Sequence, residues 1–378
     1  MAKLLMASLV DPTTHPGGAG TYTRGLLAAL ETRHAVQVVA PRHPPPGPWY
    51  RSRQLVALAR SCLSPLPALP LFTRQPELTR RIRAIARSQP FEAAVINGGD
   101  MLWAITELPP EMPTVLIAHN LEHQVLTQKL ANYPFLSHVL KREISKQRQY
   151  EIEGFRRSRG VIFLSSTEMA WSCDQVPGLR TLHIPPLFTN PPVIRQPQLN
   201  GPLRLGFLAD FAWWPNRQSW KWVMENILPK VRRPITVHVF GRQSDQIPTC
   251  DNVISHGFVK DLREVWEQVD IMICPIREGA GVNIKLAESL YNRMPVLATN
   301  QAVRGLTCSS GSGLVTIDSA EEWVTFLNSS EAERLATQVP SEALSQQFAI
   351  DQYREKLNNF ILEVVVDGLR NQEQSTKP

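Results

Sequence analysis

Six short apolar runs recur in the first half of the chain and six more in the second, each followed by room for a helix. The first six are Leu4–Val10, Ala35–Ala40, Ala93–Asn97, Thr114–Ala118, Val161–Leu164 and Thr181–Ile184. The second six are Leu203–Leu208, Ile235–Phe240, Asn252–His256, Ile271–Cys274, Val296–Thr299 and Gly313–Ile317. They show little alternation, the pattern of strands buried on both faces of a parallel sheet. Helical patterns such as Arg217–Leu228 and Leu262–Val269 fall between them. Two series of βα units predict two doubly wound α/β domains.

The stretch Pro185–Pro202 carries Pro185, Pro186, Pro191, Pro192, Pro197 and Pro202, a linker by composition. The expected division is therefore a first domain over 1–187, a linker over 188–202 and a second domain over 203–344. A final helix over 345–369 is expected to pack back on the first domain, with a disordered tail over 370–378. A length of 378 residues suits two domains, and 43% hydrophobic with 20% charged residues suits folded ones. No stretch reaches the roughly 18 apolar residues of a membrane helix. The opening MAKLLMASLVDP reads as the first core strand, its apolar run too short for a secretory leader. Five cysteines without a C-x-x-C pair argue against a disulfide framework or a cysteine zinc site and point to a cytoplasmic location.

The net charge of +6 is concentrated. Residues 41–90 hold nine arginines, one acid (Glu77) and ten of the 31 prolines, a net of +8 that leaves the other 328 residues at −2. This reads as a basic, proline-broken insertion. No zinc-finger spacing, RNA-recognition aromatic motif or basic repeat accompanies it, so nucleic acid is not the expected partner. Two readings stand: a solvated helix face, or a surface spanning Arg51–Arg87 that meets anionic lipid or a phosphorylated acceptor, which would place the protein at the inner face of the membrane.

In open α/β sheets, ligands bind beyond the carboxyl ends of the strands. After the first strand, Gly17, Gly18 and Gly20 lead into a helix and free backbone N–H groups for an anion, although a plain turn accounts for the segment equally well. As a dinucleotide fingerprint it is broken, with Thr23 where a third glycine belongs and no acid after the second strand. A nicotinamide oxidoreductase is disfavoured accordingly. The fourth strand runs into His119-Asn120-Leu121-Glu122-His123. The spacing matches a zinc-protease pattern, but that chemistry needs the motif inside a helix. A more economical reading is a polar cluster in which His119 bonds substrate hydroxyls, supported by Asn120 and Glu122. An ordinary helix-start histidine is the alternative.

Beyond Ile271–Cys274 comes Pro275-Ile-Arg277-Glu278-Gly279-Ala280-Gly281-Val282-Asn283-Ile-Lys285-Leu-Ala-Glu288. A Gly-x-Gly turn opens a helix with Lys285 and Glu288 on one face at i and i+3. Backbone N–H groups, the helix dipole and a cation suit a diphosphate, and a carboxylate one turn on suits ribose hydroxyls.

These motifs, with Gly206-Phe-Leu-Ala-Asp-Phe-Ala-Trp-Trp-Pro215-Asn216, Val239-Phe240-Gly241, His256-Gly257-Phe258-Val259-x-Asp261-Leu262 and Pro295-Val296-x-Ala298-Thr299, occur in the order seen in GT-B-fold glycosyltransferases. The chain resembles glycosyltransferase family four and the sugar transferases of exopolysaccharide and exosortase loci. The resemblance implies two facing Rossmann-like domains with a cleft between them. It implies transfer from a nucleoside-diphosphate sugar to a glycan or lipid-linked acceptor, retaining and without a metal or other cofactor; no D-x-D triad is present, which agrees. Donor-binding positions implied are Gly17, Gly18, Arg217, Gly257, Val259, Gly279, Gly281, Val282, Asn283, Lys285 and Glu288. Catalytic positions are His119, Lys285 and Arg277, with Asn216 in support where the family carries a lysine. The family's first acidic position falls at Ala280, which removes the carboxylate that normally meets the donor sugar. A nucleotide-sugar epimerase and a catalytically silent nucleotide-sugar-binding protein are the alternatives.

Overall fold

Strands and helices alternate from the start of the chain. The structure, a computed structural model, describes residues 1–15, 17–41, 49–131, 137–193, 201–308, 311 and 313–375. The chain divides into two units, Met1–Leu187 with Tyr353–Pro378, and Phe188–Gln352.

In the first unit β1 (Lys3–Ser8), β2 (Ala35–Val39), β3 (Ala93–Asn97), β4 (Thr114–Ala118), β5 (Gly160–Phe163) and β6 (Thr181–His183) form one parallel sheet in the order β2-β1-β3-β4-β5-β6. Every residue of β3 and β4 is buried, as two-faced burial requires. The register pairs Ser8 with Asn97 and Asn97 with Ile117. That alignment brings the polar ends of β1 and β3 together beside the end of β4.

In the second unit β7 (Leu203–Leu208), β8 (Ile235–Phe240), β9 (Val253–Gly257), β10 (Ile271–Cys274), β11 (Val296–Ala298) and β12 (Leu314–Thr316) form a second parallel sheet, ordered β12-β11-β10-β7-β8-β9. Counted within the unit this is the 3-2-1-4-5-6 order of doubly wound folds. The winding reverses between β7 and β10, where a ligand crevice is expected, and in the first sheet it reverses between β1 and β3. All twelve expected strands are present, their ends within two residues of the sequence reading.

Residues 41–90 are not an insertion. They are the crossover from β2 to β3, folded over its described part into helices Trp49–Cys62, Ala68–Thr73 and Pro76–Ser88. Leu78, Ile82 and Ala86 recur every fourth residue and are buried in the core, while Arg80, Arg83 and Arg87 lie outside. Pro76 sits in the first turn of its helix, where a missing N–H costs nothing, so proline here starts an element rather than breaking one. Pro44, Pro45 and Pro46 lie outside the described residues.

The end of the chain also differs from the expectation. The last helix is Arg354–Ser375, beginning nine residues later than position 345 and continuing through part of the expected tail. The chain around Phe348 cannot be helical because it is tied elsewhere: Phe188 N–H donates to Phe348 O at 3.0 Å, and Ile350 N–H to Phe188 O at 3.4 Å. The Asn358 amide of the final helix donates to Ala29 O at 3.1 Å, on the helix Gly18–Leu30 of the same unit.

Candidate functional site

In the second unit, the ends of β7 and β10 each lead into a loop and then a helix. After β7, helix Trp214–Trp222 begins with Pro215 and buried Asn216 in its first turn. The Asn216 amide donates to Asp210 O at 2.7 Å, which turns its Oδ1 away from that loop. After β10, Gly279 and Gly281 adopt φ of +122° and +72°, conformations that favour glycine. Asn283 then caps helix Ile284–Tyr291, its Oδ1 accepting from Leu286 N–H at 3.4 Å.

Lys285 crosses from this helix to the other loop and donates from Nζ to Asn216 Oδ1 at 2.6 Å. Its Nζ also lies 5.5 Å from the centre of the Phe207 ring. Burial lowers its pKa to about 8, so the ammonium is held in a poorly solvated place and is sensitive to any anion brought to it. The Cys274 thiol at the end of β10 is pushed up to about 11 by burial, a rise moderated by Lys285 and by the Asn283 side chain. Glu288 is half-buried one helical turn beyond Lys285.

The structure thus gathers Lys285, Asn216 and Asn283. It does not add the two arginines to them. Arg277 is exposed and stacks over Trp222 at 5.4 Å, and Arg217 donates to the carbonyls of Phe211 at 2.6 Å and Ala212 at 2.9 Å, closing the loop that precedes its own helix. Gly257 ends β9 with φ +70°, next to exposed Phe258 and half-buried Val259. Gly257 O accepts from Gly241 N–H at 2.7 Å. Val282 is half-buried between Gly281 and Asn283.

In the first unit, Gly17 caps helix Gly18–Leu30 and its N–H donates to His15 Nδ1 at 3.2 Å. Gly20 is the sterically closed position, since a Cβ there would come within 2.2 Å of His15 O. His119 follows β4 and is half-buried, its Nε2 2.8 Å from Asn97 Oδ1 and its ring edge-on to Tyr22 at 5.4 Å.

The tautomer follows from the neighbours. Ser8 Oγ donates to Val10 O and Thr23 Oγ1 to Ala19 O, both at 2.8 Å. Their lone pairs therefore receive the Asn97 amide, which donates to each at 2.9 Å. Only Asn97 Oδ1 is left to face the imidazole, so His119 carries its proton on Nε2 and presents Nδ1 as an acceptor. Burial lowers the His119 pKa to about 4, keeping the ring neutral.

Asn120 is half-buried and hydrogen-bonds the Glu122 side chain. Burial first, then Asp100, Glu151 and Glu168, holds the Glu122 carboxyl well above the usual range. His123 turns away to Glu151, 2.5 Å from Nδ1 to Oε2. The two histidines of the zinc-like pattern therefore serve different partners. Among the described residues no group of three or more His, Cys, Asp or Glu side chains is placed to hold a metal ion.

Three solved structures share this architecture. They are HepE of Anabaena in complex with UDP-glucose (14% identity, TM-score 0.66, covering 96% of this chain and 100% of that one), sucrose-phosphate synthase of Thermosynechococcus elongatus (15%, 0.61, 94% and 99%) and a glycosyltransferase of Rickettsia africae (11%, 0.59, 98% and 99%). At such identities the likeness concerns the fold. No curated protein matches the chain in sequence. The family model described as Glycosyltransferase Family 4 matches residues 16–186, and the one described as Glycosyl transferases group 1 matches residues 202–328.

The chain belongs to the GT-B glycosyltransferases.

Several residues that shape this glycosyltransferase's site were not singled out from the sequence. Asn97, Ser8 and Thr23 fix the His119 ring, and Asn97 is a polar residue ending an otherwise apolar strand, a signal that could have been read. Asp210, paired with Arg242, supports the carbonyl that orients Asn216. Trp213 is 43% exposed beside the Gly279 backbone, so an indole faces solvent at the glycine loop.

Proposed function

We propose that this glycosyltransferase takes its sugar from a nucleoside-diphosphate sugar whose diphosphate is held by Lys285 and the glycine loop at the ends of β7 and β10. The observation that carries the reading is the Asn216–Lys285 hydrogen bond, which fixes a partly desolvated cation at the first turn of helix Ile284–Tyr291. HepE of Anabaena, similar in fold, has been solved with UDP-glucose, in keeping with such a donor.

Cleaving the bond between the anomeric carbon and the diphosphate puts negative charge on the leaving oxygen. Lys285 and the N–H groups of the helix start stabilise that charge as it grows, and more strongly in a site with little water. Glu288 receives the ribose hydroxyls. Gly257 and Val259 offer backbone groups to the base, and Arg277 and Arg217 add positive potential at the rim.

In the first unit, His119 Nδ1 accepts a hydrogen bond from a sugar or acceptor hydroxyl, with Asn120 and Glu122 in support and Gly17 and Gly18 presenting N–H groups. The reaction retains anomeric configuration, the leaving oxygen taking the acceptor's proton on the same face, so that no enzyme nucleophile takes part. In this reading the charge stabilisation comes from the protein's own cations, and no metal or other cofactor is needed.

The acceptor is a glycan or a lipid-linked molecule, reached at the cytoplasmic face of the membrane. Leu55, Val56 and Leu63 are 69%, 57% and 94% exposed on and just after helix Trp49–Cys62, and Arg53 and Arg60 share that helix. Apolar side chains flanked by arginines suit an anionic lipid surface. Among the described residues no helix is long and apolar enough to cross a membrane, so attachment would be peripheral.

The test is a thermal-shift screen with UDP-, GDP- and ADP-sugars, since a bound donor raises stability by mass action. One class should stabilise the protein, and Glu288→Ala should remove the response while leaving the unliganded melting point within a few degrees. Stabilisation by none of them, or equal stabilisation of the variant, would rule the reading out. Co-sedimentation with vesicles that ignores both anionic lipid content and salt would rule out the membrane surface.

A further inference from the structure

The glycine loop contains a carboxylate without a partner. One oxygen of Glu278, Oε2, is buried from solvent and has no hydrogen bond in the structure. Buried carboxylate oxygens are nearly always met by donors, because taking that charge from water without compensation is costly. Glu278 lies in the turn between β10 and helix Ile284–Tyr291, one residue before Gly279. A Cβ on Gly279 would stand 3.5 Å from the Trp213 indole and 3.4 Å from an Arg304 nitrogen, so the backbone beside Glu278 is closely packed. The loop is also pinned by the Gln301 amide, which donates to Gly279 O at 3.0 Å.

Position 280, where the family resemblance places an acid, is closed in this chain. Ala280 is only 6% exposed, and its methyl group is packed into the protein. A second orphan lies three residues further on: Asn283 Nδ2 is buried without a hydrogen bond, while its Oδ1 caps the helix. A single turn thus holds one unmatched acceptor and one unmatched donor next to Lys285. A sugar hydroxyl, which both donates and accepts, satisfies either.

We infer that Glu278 binds hydroxyl groups of the donor sugar, in place of a carboxylate at position 280, and so sets which sugars are transferred. The inference rests on the donor reading above. It assigns no covalent step to Glu278, which acts by positioning the sugar and by favouring donors that carry a hydroxyl at the matching carbon. Asn283 Nδ2 serves the same sugar as a donor.

The experiment separates the sugar from the nucleotide. Binding of UDP and UDP-glucose, and of GDP and GDP-mannose, is measured by calorimetry on the full chain and on E278Q and E278A, together with turnover of whichever sugar nucleotide is transferred. The expected result is nucleoside diphosphate affinity within about twofold of the unsubstituted protein in both variants. Affinity for the sugar nucleotide should fall about tenfold to a hundredfold, the cost of one charged hydrogen bond. A deoxy-sugar donor lacking the bonded hydroxyl should bind the unsubstituted protein and E278A equally.

Retained diphosphate binding also shows that the variants are folded. Unchanged sugar-nucleotide affinity and turnover in both variants would overturn the inference while leaving the donor reading intact. Parallel loss of diphosphate and sugar-nucleotide binding would overturn it too, by making Glu278 a structural residue. Failure of the unsubstituted chain to bind any of the four ligands would instead sink the donor reading and the inference together.

Discussion

Lys285 Nζ and Asn216 Oδ1 meet at 2.6 Å across 69 residues of sequence, joining the helix after β10 to the helix after β7. Asn216 stands where related chains place a second cation. Here it orients the one that remains, and its own amide is fixed by Asp210 O.

That pairing makes donor binding depend on pH in a definite direction. Burial sets the Lys285 pKa at about 8, and a diphosphate prefers the charged form. Affinity should therefore be level below pH 7 and weaken as pH rises through about 8, by up to tenfold per unit. Asn216→Leu removes an acceptor from the ammonium and should move the limb down by about one pH unit, the scale of a single charged hydrogen bond. Asn216→Asp should move it up. Donor dissociation constants measured from pH 6 to 9.5 decide the matter, and coincident curves for all three proteins would refute it.

The His119 tautomer gives a second expectation. Asn97→Leu removes the oxygen that holds the proton on Nε2, 2.8 Å away, and frees the ring to present either nitrogen. Transfer should slow by about two orders of magnitude, as expected when a positioned polar group loses its geometry. Nucleoside diphosphate affinity should not change. Nitrogen-15 chemical shifts of the imidazole provide the second readout: a ring that stays Nε2-protonated in the variant would show that Asn97 is not what sets it.

Much of this arrangement was legible from residue order, and the part that was not has a common cause. The strands were readable because two-faced burial forces continuous apolar runs. The Lys285–Glu288 helix was readable because glycines, cation and acid lie within one short stretch. Arg277 and Arg217 were misjudged because sequence gives charge but not direction: one guanidinium lies on Trp222 and the other closes a turn through Phe211 and Ala212. Residues 41–90 looked like an insertion because prolines and arginines dominate the composition, while Leu78, Ile82 and Ala86, which seat the last helix, are few. Asn97 was passed over as a strand end, since its partners Ser8 and Thr23 come from elsewhere in the chain.

Stability against acid should carry the signature of His119 and the carboxyls near it. A histidine held neutral, with its pKa lowered from 6.5 to about 4, makes the folded state bind fewer protons than the unfolded one in that window. Stability is then lost as pH falls from 6.5 towards 4, by at most roughly 3 kcal/mol for a half-buried ring. Asp100 has the opposite sign: burial raises it from 3.8 to about 6, so its contribution is present below 3.8 and lost as pH rises through 6. Glu122 is raised too and acts in the same sense. His119→Gln should therefore leave a protein whose stability declines with rising pH between 4 and 6 more steeply than that of the unsubstituted protein. Urea unfolding at several pH values measures the difference, and parallel pH profiles would show that the ring titrates normally.

The last prediction concerns how much of the basic crossover is available to a partner. Glu107, 3% exposed, takes Arg74 on one carboxylate oxygen and Arg83 on the other, each at 2.5 Å, so a single buried acid restrains two of the nine arginines. Both guanidinium groups are about half exposed, at 44% and 49%, and water already offsets part of their charge. Glu107→Gln keeps the shape but removes the charge that attracts both. It should cost about 1–3 kcal/mol, less than a fully buried pair would, because the arginines can turn to solvent. The same change raises the net charge of this surface by one and releases two side chains, so binding to anionic vesicles should become tighter and more sensitive to salt. A lower urea midpoint with stronger vesicle binding is the expected pair of results. A lower midpoint with unchanged vesicle binding would mean that Arg74 and Arg83 do not face the lipid, and would confine the membrane surface to helix Trp49–Cys62.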